Sequence, residues 1–217
     1  MDHAPVASRA EAAGAVPSHG HSLLYLVRHG ETEWSKSGQH TGLTDLPLLP
    51  EGEEAARRVA DLLSGWTFAR VLVSPLQRAR RTAELAGLTE YEIDPRLKEW
   101  DYGGYEGLTT KEIRSRVGYM WTVFENGVVP GDTPGETVES VAARAASVLW
   151  DIMPTLQDSN VALVAHGHYL RILATVFLRQ EVRMGAKLLL DAGSISILEW
   201  EREQPAIRTW NQPSPKG

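Results

Sequence analysis

Three short apolar runs punctuate the chain, Leu23 to Val27, Val71 to Val73 and Val161 to Ala165, and none alternates with polar residues. A run without alternation fits a strand buried on both faces, as in a parallel sheet covered by helices on each side. Each run leads directly into a polar, largely cationic cluster: Arg28-His29-Gly30-Glu31-Thr32, Ser74-Pro75-Leu76-Gln77-Arg78 and His166-Gly167-His168. Residues with helical spacing follow each cluster. A further strand is expected at Ser194 to Trp200.

Between the runs, Ala55, Val59, Leu62 and Leu63 fall at i, i+4, i+7 and i+8 and form one apolar stripe of a helix that should cover the sheet. Ser74 before Pro75 reads as an N-cap with proline in the first turn, and Gly87 as the stop after Leu85, which puts Arg78 about one turn inside a helix. Thr133-Pro134-Gly135-Glu136 has capping-box spacing, and Val138, Val141, Ala145, Val148, Leu149 and Ile152 continue it as the stripe of a long helix. Strands alternating with helices predict an α/β fold, in which ligands sit at the carboxyl ends of the strands. Topology therefore brings the three clusters to one crevice.

With 217 residues and 42% hydrophobic composition, one domain is expected over residues 22–211, preceded by a disordered tail over 1–21 and followed by a loose end over 212–217. The histidines of the tail, His3, His19 and His21, read as incidental rather than as a metal site. A formal charge of −6 argues against a nucleic-acid partner, which would need a basic face. The absence of cysteine excludes disulfides, thiolate metal sites and a cysteine nucleophile. No apolar run approaches the roughly 20 residues that span a bilayer, so no membrane partner is expected and the location is expected to be cytoplasmic.

An imidazole and a guanidinium at a strand end point into the crevice, where unpaired cations are costly without an anion. His29, Arg28, Arg78 and His166 share that placement and would form a cage for a tetrahedral dianion, the arginines offering planar forks to its oxygens. A neutral histidine is also a competent nucleophile and can split phosphoryl transfer into two displacements through a phosphohistidine. Neighbouring positive charge favours the neutral ring, and a hydrogen bond at its other nitrogen would set the tautomer. The arginines would stabilise the transferred group electrostatically, so no metal or other cofactor is required.

The sequence resembles the histidine phosphatase superfamily, also called the phosphoglycerate mutase-like family, whose hallmark is an Arg-His-Gly motif after the first strand. Five blocks match in the family's order from about Leu23 to Trp200: Leu26 to Trp34, Thr41 to Asp45, Ser74 to Ala79, Leu97 to Gly103 and Ala165 to Gly167. The resemblance implies a three-layer α/β/α sandwich with a mostly parallel sheet. It also implies His29 as the phosphorylated nucleophile, Arg28, Arg78, His166 and Gly167 as the phosphate pocket, and Glu99 as the proton donor to the leaving oxygen. A carboxyl that carries a proton near neutrality needs its pKa raised, which burial beside Trp100 and Tyr102 would supply; Asp101 is the rival for that role.

Family mutases carry a long insertion between the acid and the second pocket histidine, with two adjacent arginines that this chain lacks there. Ser35 replaces the family asparagine, and Thr110, beside Lys111, stands where a lysine is expected. These departures favour phosphate release over phosphoglycerate isomerisation. The blocks around Trp34 to Gly42 and Glu99 to Gly107 look most like small acid phosphatases and sedoheptulose-bisphosphatase-like enzymes. Ser35, Gln39, Thr41, Gly42 and Tyr102 are the expected substrate contacts, and Lys36 and His40 are expected at the pocket mouth. A sugar phosphate, a small-molecule phosphate ester, is the expected substrate. The rivals are a phosphoglycerate mutase, which would interconvert phosphoglycerates without net release, and a non-catalytic phosphate-binding module, which would lack the nucleophile or the acid. Folds of this type often form a homodimer, although no exposed stripe argues for one. Trp121 and Phe124 are expected in the core, Tyr119 and Met120 in a cap over the crevice, and Trp66, Trp150, Trp200 and Trp210 in packing roles.

Overall fold

The computed structural model describes residues 22–214. Six strands form one sheet: β1 (Leu24–Arg28), β2 (Arg70–Val73), β3 (Glu92–Ile93), β4 (Val161–Ala165), β5 (Ser194–Glu201) and β6 (Gln204–Pro213). Their order is β3-β2-β4-β1-β5-β6; the first four are parallel, while β5 and β6 add antiparallel at the β1 edge. Among the described residues seven α-helices accompany them: α1 (Glu33–Ser37), α2 (Pro50–Leu63), α3 (Gln77–Leu85), α4 (Thr110–Val117), α5 (Val123–Asn126), α6 (Val138–Ile152) and α7 (Gly167–Phe177).

The apolar runs are buried on both faces, as their lack of alternation predicts. Successive residues of β1 enter opposite cores: Tyr25 and Val27 join Val59, Leu63, Ala79 and Ala83 under α2 and α3, while Leu24 and Leu26 join Val141, Val148, Leu170 and Leu173 under α6 and α7. Leu26 pairs with Leu163, and Leu163 with Leu72, so one leucine row crosses the parallel strands. Helices on both sides of a mostly parallel sheet make the expected three layers.

Several boundaries differ from those read in the sequence. Val59 and Leu63 of α2 are buried as read, but Gly52 and Ala56 complete the stripe, while Ala55 and Leu62 are only partly buried. Helix α3 starts at Gln77, not after a Ser74 cap, because Ser74 is drawn into the crevice; the Gln77 amide is instead capped from a distance by Asp45 Oδ1 at 2.7 Å. Arg78 is thereby in the first turn. Gly87 ends the helix region as read, with φ of +80°. Helix α6 starts after Thr137, whose side chain accepts the Ser140 amide, whereas Thr133 bonds Asp101. Its buried residues are the six read from spacing.

Strand β6 was not legible, since it is half exposed and holds Pro205 and Pro213; its pairing runs to Pro213, so the end expected to be loose at 212 is ordered two residues further. Residues 1–21, with His3, His19 and His21, and 215–217 lie outside the described residues. Trp121 and Phe124 are core as expected, and Tyr119 and Met120 are exposed. Trp66, Trp200 and Trp210 pack against the cores. Trp150 does not: it is 84% exposed, because the buried face of α6 is filled by Val148, Leu149 and Ile152. Among the described residues no helix is long and apolar enough to cross a membrane.

Candidate active site

The register of the three central strands carries the polar clusters to one place. Val73 lies beside Val164 and Arg28 beside Ala165, so Ser74, His166 and His29 leave the sheet side by side. The His29 amide donates to Ala165 O at 3.0 Å and the Ser74 amide to Val164 O at 3.0 Å, extending the ladder one residue past the strands. The rings of His29 and His166 are 5.1 Å apart, and His166 Nε2 is 2.8 Å from Ser74 Oγ.

His29 is held on three sides. Its carbonyl accepts the Gly193 amide, its own amide is tied to Ala165, and its Nδ1 lies 2.7 Å from Gly30 O. A carbonyl only accepts, so Nδ1 carries the hydrogen and Nε2 keeps its lone pair. Gly30 is required there: a Cβ would meet Gly52 O at 2.3 Å, backbone against backbone at the start of α2. Burial, then the charges of Arg78 and Arg28, push the His29 pKa well below its ordinary value. Burial and Arg78 do the same to His166.

The cations of the site have no carboxylate partner. Arg28 donates through Nη1 to Leu190 O, and its Nε is buried without a partner. Arg78, fully buried, donates from Nη1 to Thr44 O at 2.8 Å and from Nη2 to Gly42 O at 2.8 Å and Thr41 O at 3.3 Å, again leaving Nε unpartnered. His166 Nδ1 is a third buried atom with no partner. Gly167 is a packing surface, since a Cβ there would lie 3.2 Å from Arg28 Cζ. Among the described residues no group of three histidines, aspartates or glutamates is placed to hold a metal ion.

Glu99 is 5% exposed and sits across the start of α7. Oε1 accepts the Trp100 and Tyr169 amides at 2.9 and 2.8 Å, and Oε2 accepts the His168 amide at 3.0 Å. Glu99 is thus buried as expected, with three backbone donors on its carboxylate that the sequence did not show. Asp101 is spent on the Gly103 and Gly135 amides and the Thr133 hydroxyl and is not on the cavity wall.

A cavity of about 260 Å³ is lined by Arg28, His29, Glu99 and Gly167 together with Ser35, Gln39, His40, Thr41, Tyr102 and Thr110. Four of the five expected substrate contacts are therefore on the wall. Gly42 is not: its amide is held by Glu106, its carbonyl by Arg78, and a Cβ would strike Trp100 O at 2.5 Å. Lys36 also departs from expectation, pairing with Glu51 on the surface. Arg78 and His166 are fully buried and do not themselves line the cavity. His168 and Arg171 line the cavity and were missed as site residues, although Gly167 and Arg171 stand one helical turn apart on α7 and so share a face.

The comparisons with known proteins agree on one family. The family model described as the histidine phosphatase superfamily, branch 1, matches residues 24–213. An acid phosphatase of Mycobacterium tuberculosis is 36% identical over 200 residues, 90% of this chain and 96% of that protein. A sedoheptulose 1,7-bisphosphatase of Saccharomyces cerevisiae is 35% identical over 178 residues, 70% of this chain and 66% of that enzyme. A solved structure of a Mycobacterium tuberculosis open reading frame superposes with a TM-score of 0.81 at 34% identity, covering 89% of this chain and 98% of the other.

Proposed function

Since this chain belongs to the histidine phosphatase superfamily and is a phosphatase, we propose that it hydrolyses a small sugar phosphate through a phosphohistidine formed on His29. The observation that carries this reading is the Nδ1 to Gly30 O bond, which leaves a neutral, buried Nε2 lone pair among unpaired cations. In the first displacement Nε2 attacks phosphorus, the N–P bond forms and the P–O bond to the sugar breaks. Glu99 gives its proton to the departing oxygen. In the second, water attacks phosphorus while Glu99 takes a proton from it, and the N–P bond breaks to return His29 and inorganic phosphate.

The phosphoryl oxygens take the donors that the protein leaves unpartnered, Arg28 Nε, Arg78 Nε and His166 Nδ1. Ser74 Oγ accepts the Leu76 amide, so its hydroxyl is free to donate to His166 Nε2, which puts the His166 proton on Nδ1. Within Glu99, Oε1 is filled by two amides and Oε2 by one, so Oε2 is the oxygen with room for the transferable proton. A polar wall of His40, Thr41 and Tyr102 suits a hydroxylated leaving group, and the yeast relative acts on a sugar bisphosphate by its name.

Phosphate release and phosphoglycerate isomerisation are measured side by side with EDTA present, together with alkaline quenching to trap an acid-labile phosphoenzyme. Steady release with label on His29 is expected, and His29→Ala should lose at least ~10³-fold of the activity and all of the label. Turnover by His29→Ala within about tenfold of the wild type would remove the phosphohistidine.

A further inference from the structure

Glu99 lies in the segment 98–102, which belongs to no helix or strand, so its backbone groups need partners from elsewhere. They find them in an ion pair whose two residues do not line the cavity. Arg144, in the middle of α6, donates from Nη1 to Arg96 O at 2.8 Å and Lys98 O at 2.6 Å, and from Nη2 to Glu99 O at 3.1 Å. Glu136, just before α6, holds the other flank. Its Oε2 accepts the Asp101 amide at 3.0 Å, its carbonyl accepts Trp100 Nε1 at 2.8 Å, and its amide donates to Asp101 O at 2.9 Å. Arg144 Nε and Nη2 join the two flanks by donating to Glu136 Oε1 and Oε2 at 2.9 and 3.0 Å.

The same guanidinium reaches the carboxylate side of Glu99. Arg144 Cζ stands 4.7 Å from the centre of the Tyr169 ring, and the Tyr169 amide is one of the two donors to Glu99 Oε1. Glu99 is therefore held at its carbonyl by Arg144 and at its carboxylate by an amide of the residue that Arg144 covers. The pair is mostly buried, with side chains 17% and 25% exposed, and all three guanidinium nitrogens are in use. An exposed ion pair has little hold on its surroundings; this one is fixed by main-chain bonds on both sides of residue 99.

We propose that the Arg144–Glu136 pair positions Glu99 for proton transfer, so that proton delivery to the leaving oxygen depends on two residues outside the cavity. This rests on Glu99 being the acid in the reading above. Proton transfer needs the carboxyl within about 3 Å of the leaving oxygen, and a displacement of about 1 Å costs on the order of 10²-fold.

The test reads the ratio of kcat/KM for p-nitrophenyl phosphate to that for phenyl phosphate. Only the poorer leaving group needs a proton, and partial misfolding scales both esters equally and cancels. Arg144→Gln is expected to raise the ratio about tenfold or more. Arg144→Lys keeps the charge that acts on His166 but offers one nitrogen in place of three, and should raise it less. Glu136→Gln keeps the main-chain bonds to Trp100 and Asp101; it should shift the ratio in the same sense and serves where Arg144→Gln does not fold. In Glu99→Gln, whose own ratio is raised, adding Arg144→Lys should change nothing further. An unchanged ratio in the Arg144 and Glu136 variants, or a rise that persists in the Glu99→Gln background, overturns the positioning role and leaves Glu99 as the acid. An unchanged ratio in Glu99→Gln itself removes the acid and the clamp together while the phosphohistidine stands. No release from either ester by the wild type overturns the whole reading.

Discussion

Arg28, His29, Ser74, Arg78 and His166, the strand end of the site, leave the carboxyl end of a parallel strand or the first turn of the next helix, whereas the loop end is assembled from segments 35–41, 99–110 and α7. The first end inherits its geometry from strand register, with ladder bonds running one residue past the strands on both sides of His166. The second is pinned by side chains reaching to backbone: Gln39 to Gly107 O at 2.7 Å, His40 Nδ1 to Leu108 O at 2.7 Å, and Glu106 to the amides of Gly42 and Thr44. On the proposed reading, the nucleophile and the phosphate cage rest on the sheet, while the acid and the leaving-group contacts rest on loops.

Arg78 is the residue that joins the two ends, since its amino groups grip Thr41, Gly42 and Thr44 while its charge acts on His29 and His166. Arg78→Gln should lower kcat/KM by ~10²–10³-fold for every ester and also lower the melting temperature, because three carbonyls lose a shared donor. Loss of activity for all esters alike would mark it as catalytic-end machinery; a selective loss would place it with the specificity loops. Circular dichroism melts alongside kinetics separate the two contributions.

A finer cut falls inside the loop end. Glu99→Gln should slow esters with poor leaving groups by ~10²-fold and p-nitrophenyl phosphate much less, since p-nitrophenolate departs without a proton. Equal losses on both would take the proton-donor role from Glu99 and leave it as the clamp on the α7 amides.

The smallest effect concerns stability. His29, His166, His168 and His40 all have folded pKa values pushed below their ordinary value, chiefly by burial. The unfolded chain takes up protons near pH 6.5, where the folded protein does not. Stability is then fully present above about pH 7 and declines as pH falls through about 6.5, by up to ~1.4 kcal/mol per pH unit for each histidine. Melting temperature measured from pH 8 to 5.5 should be flat and then fall. His168→Gln should flatten the fall from the loop end without touching the nucleophile; an unchanged slope would assign the effect to His29 and His166.

Much of this was readable in advance where one physical demand dominates. The burial of β1, β2 and β4 on both faces admits few residues other than aliphatic ones, and the six buried positions of α6 follow directly from helical period. Strand β6 escaped because its order comes from pairing with β5 and from contacts such as Arg208 with Glu199, not from a buried face. The starts of α3 and α6 were misplaced because Ser74 and Thr133 have cap-like spacing but are claimed by His166 and Asp101, partners distant in sequence.

By itself the sequence determined which strands are buried, where they end and which cations and imidazoles stand at those ends, because local period and chain order carry that information. Only the tertiary structure decided the proton positions on His29, the three amides on Glu99, the exclusion of Gly42 and Lys36 from the wall, and the presence of Arg171 on it. Each of these depends on which groups from remote segments come within hydrogen-bond or ion-pair distance, and a linear order of residues does not contain those distances.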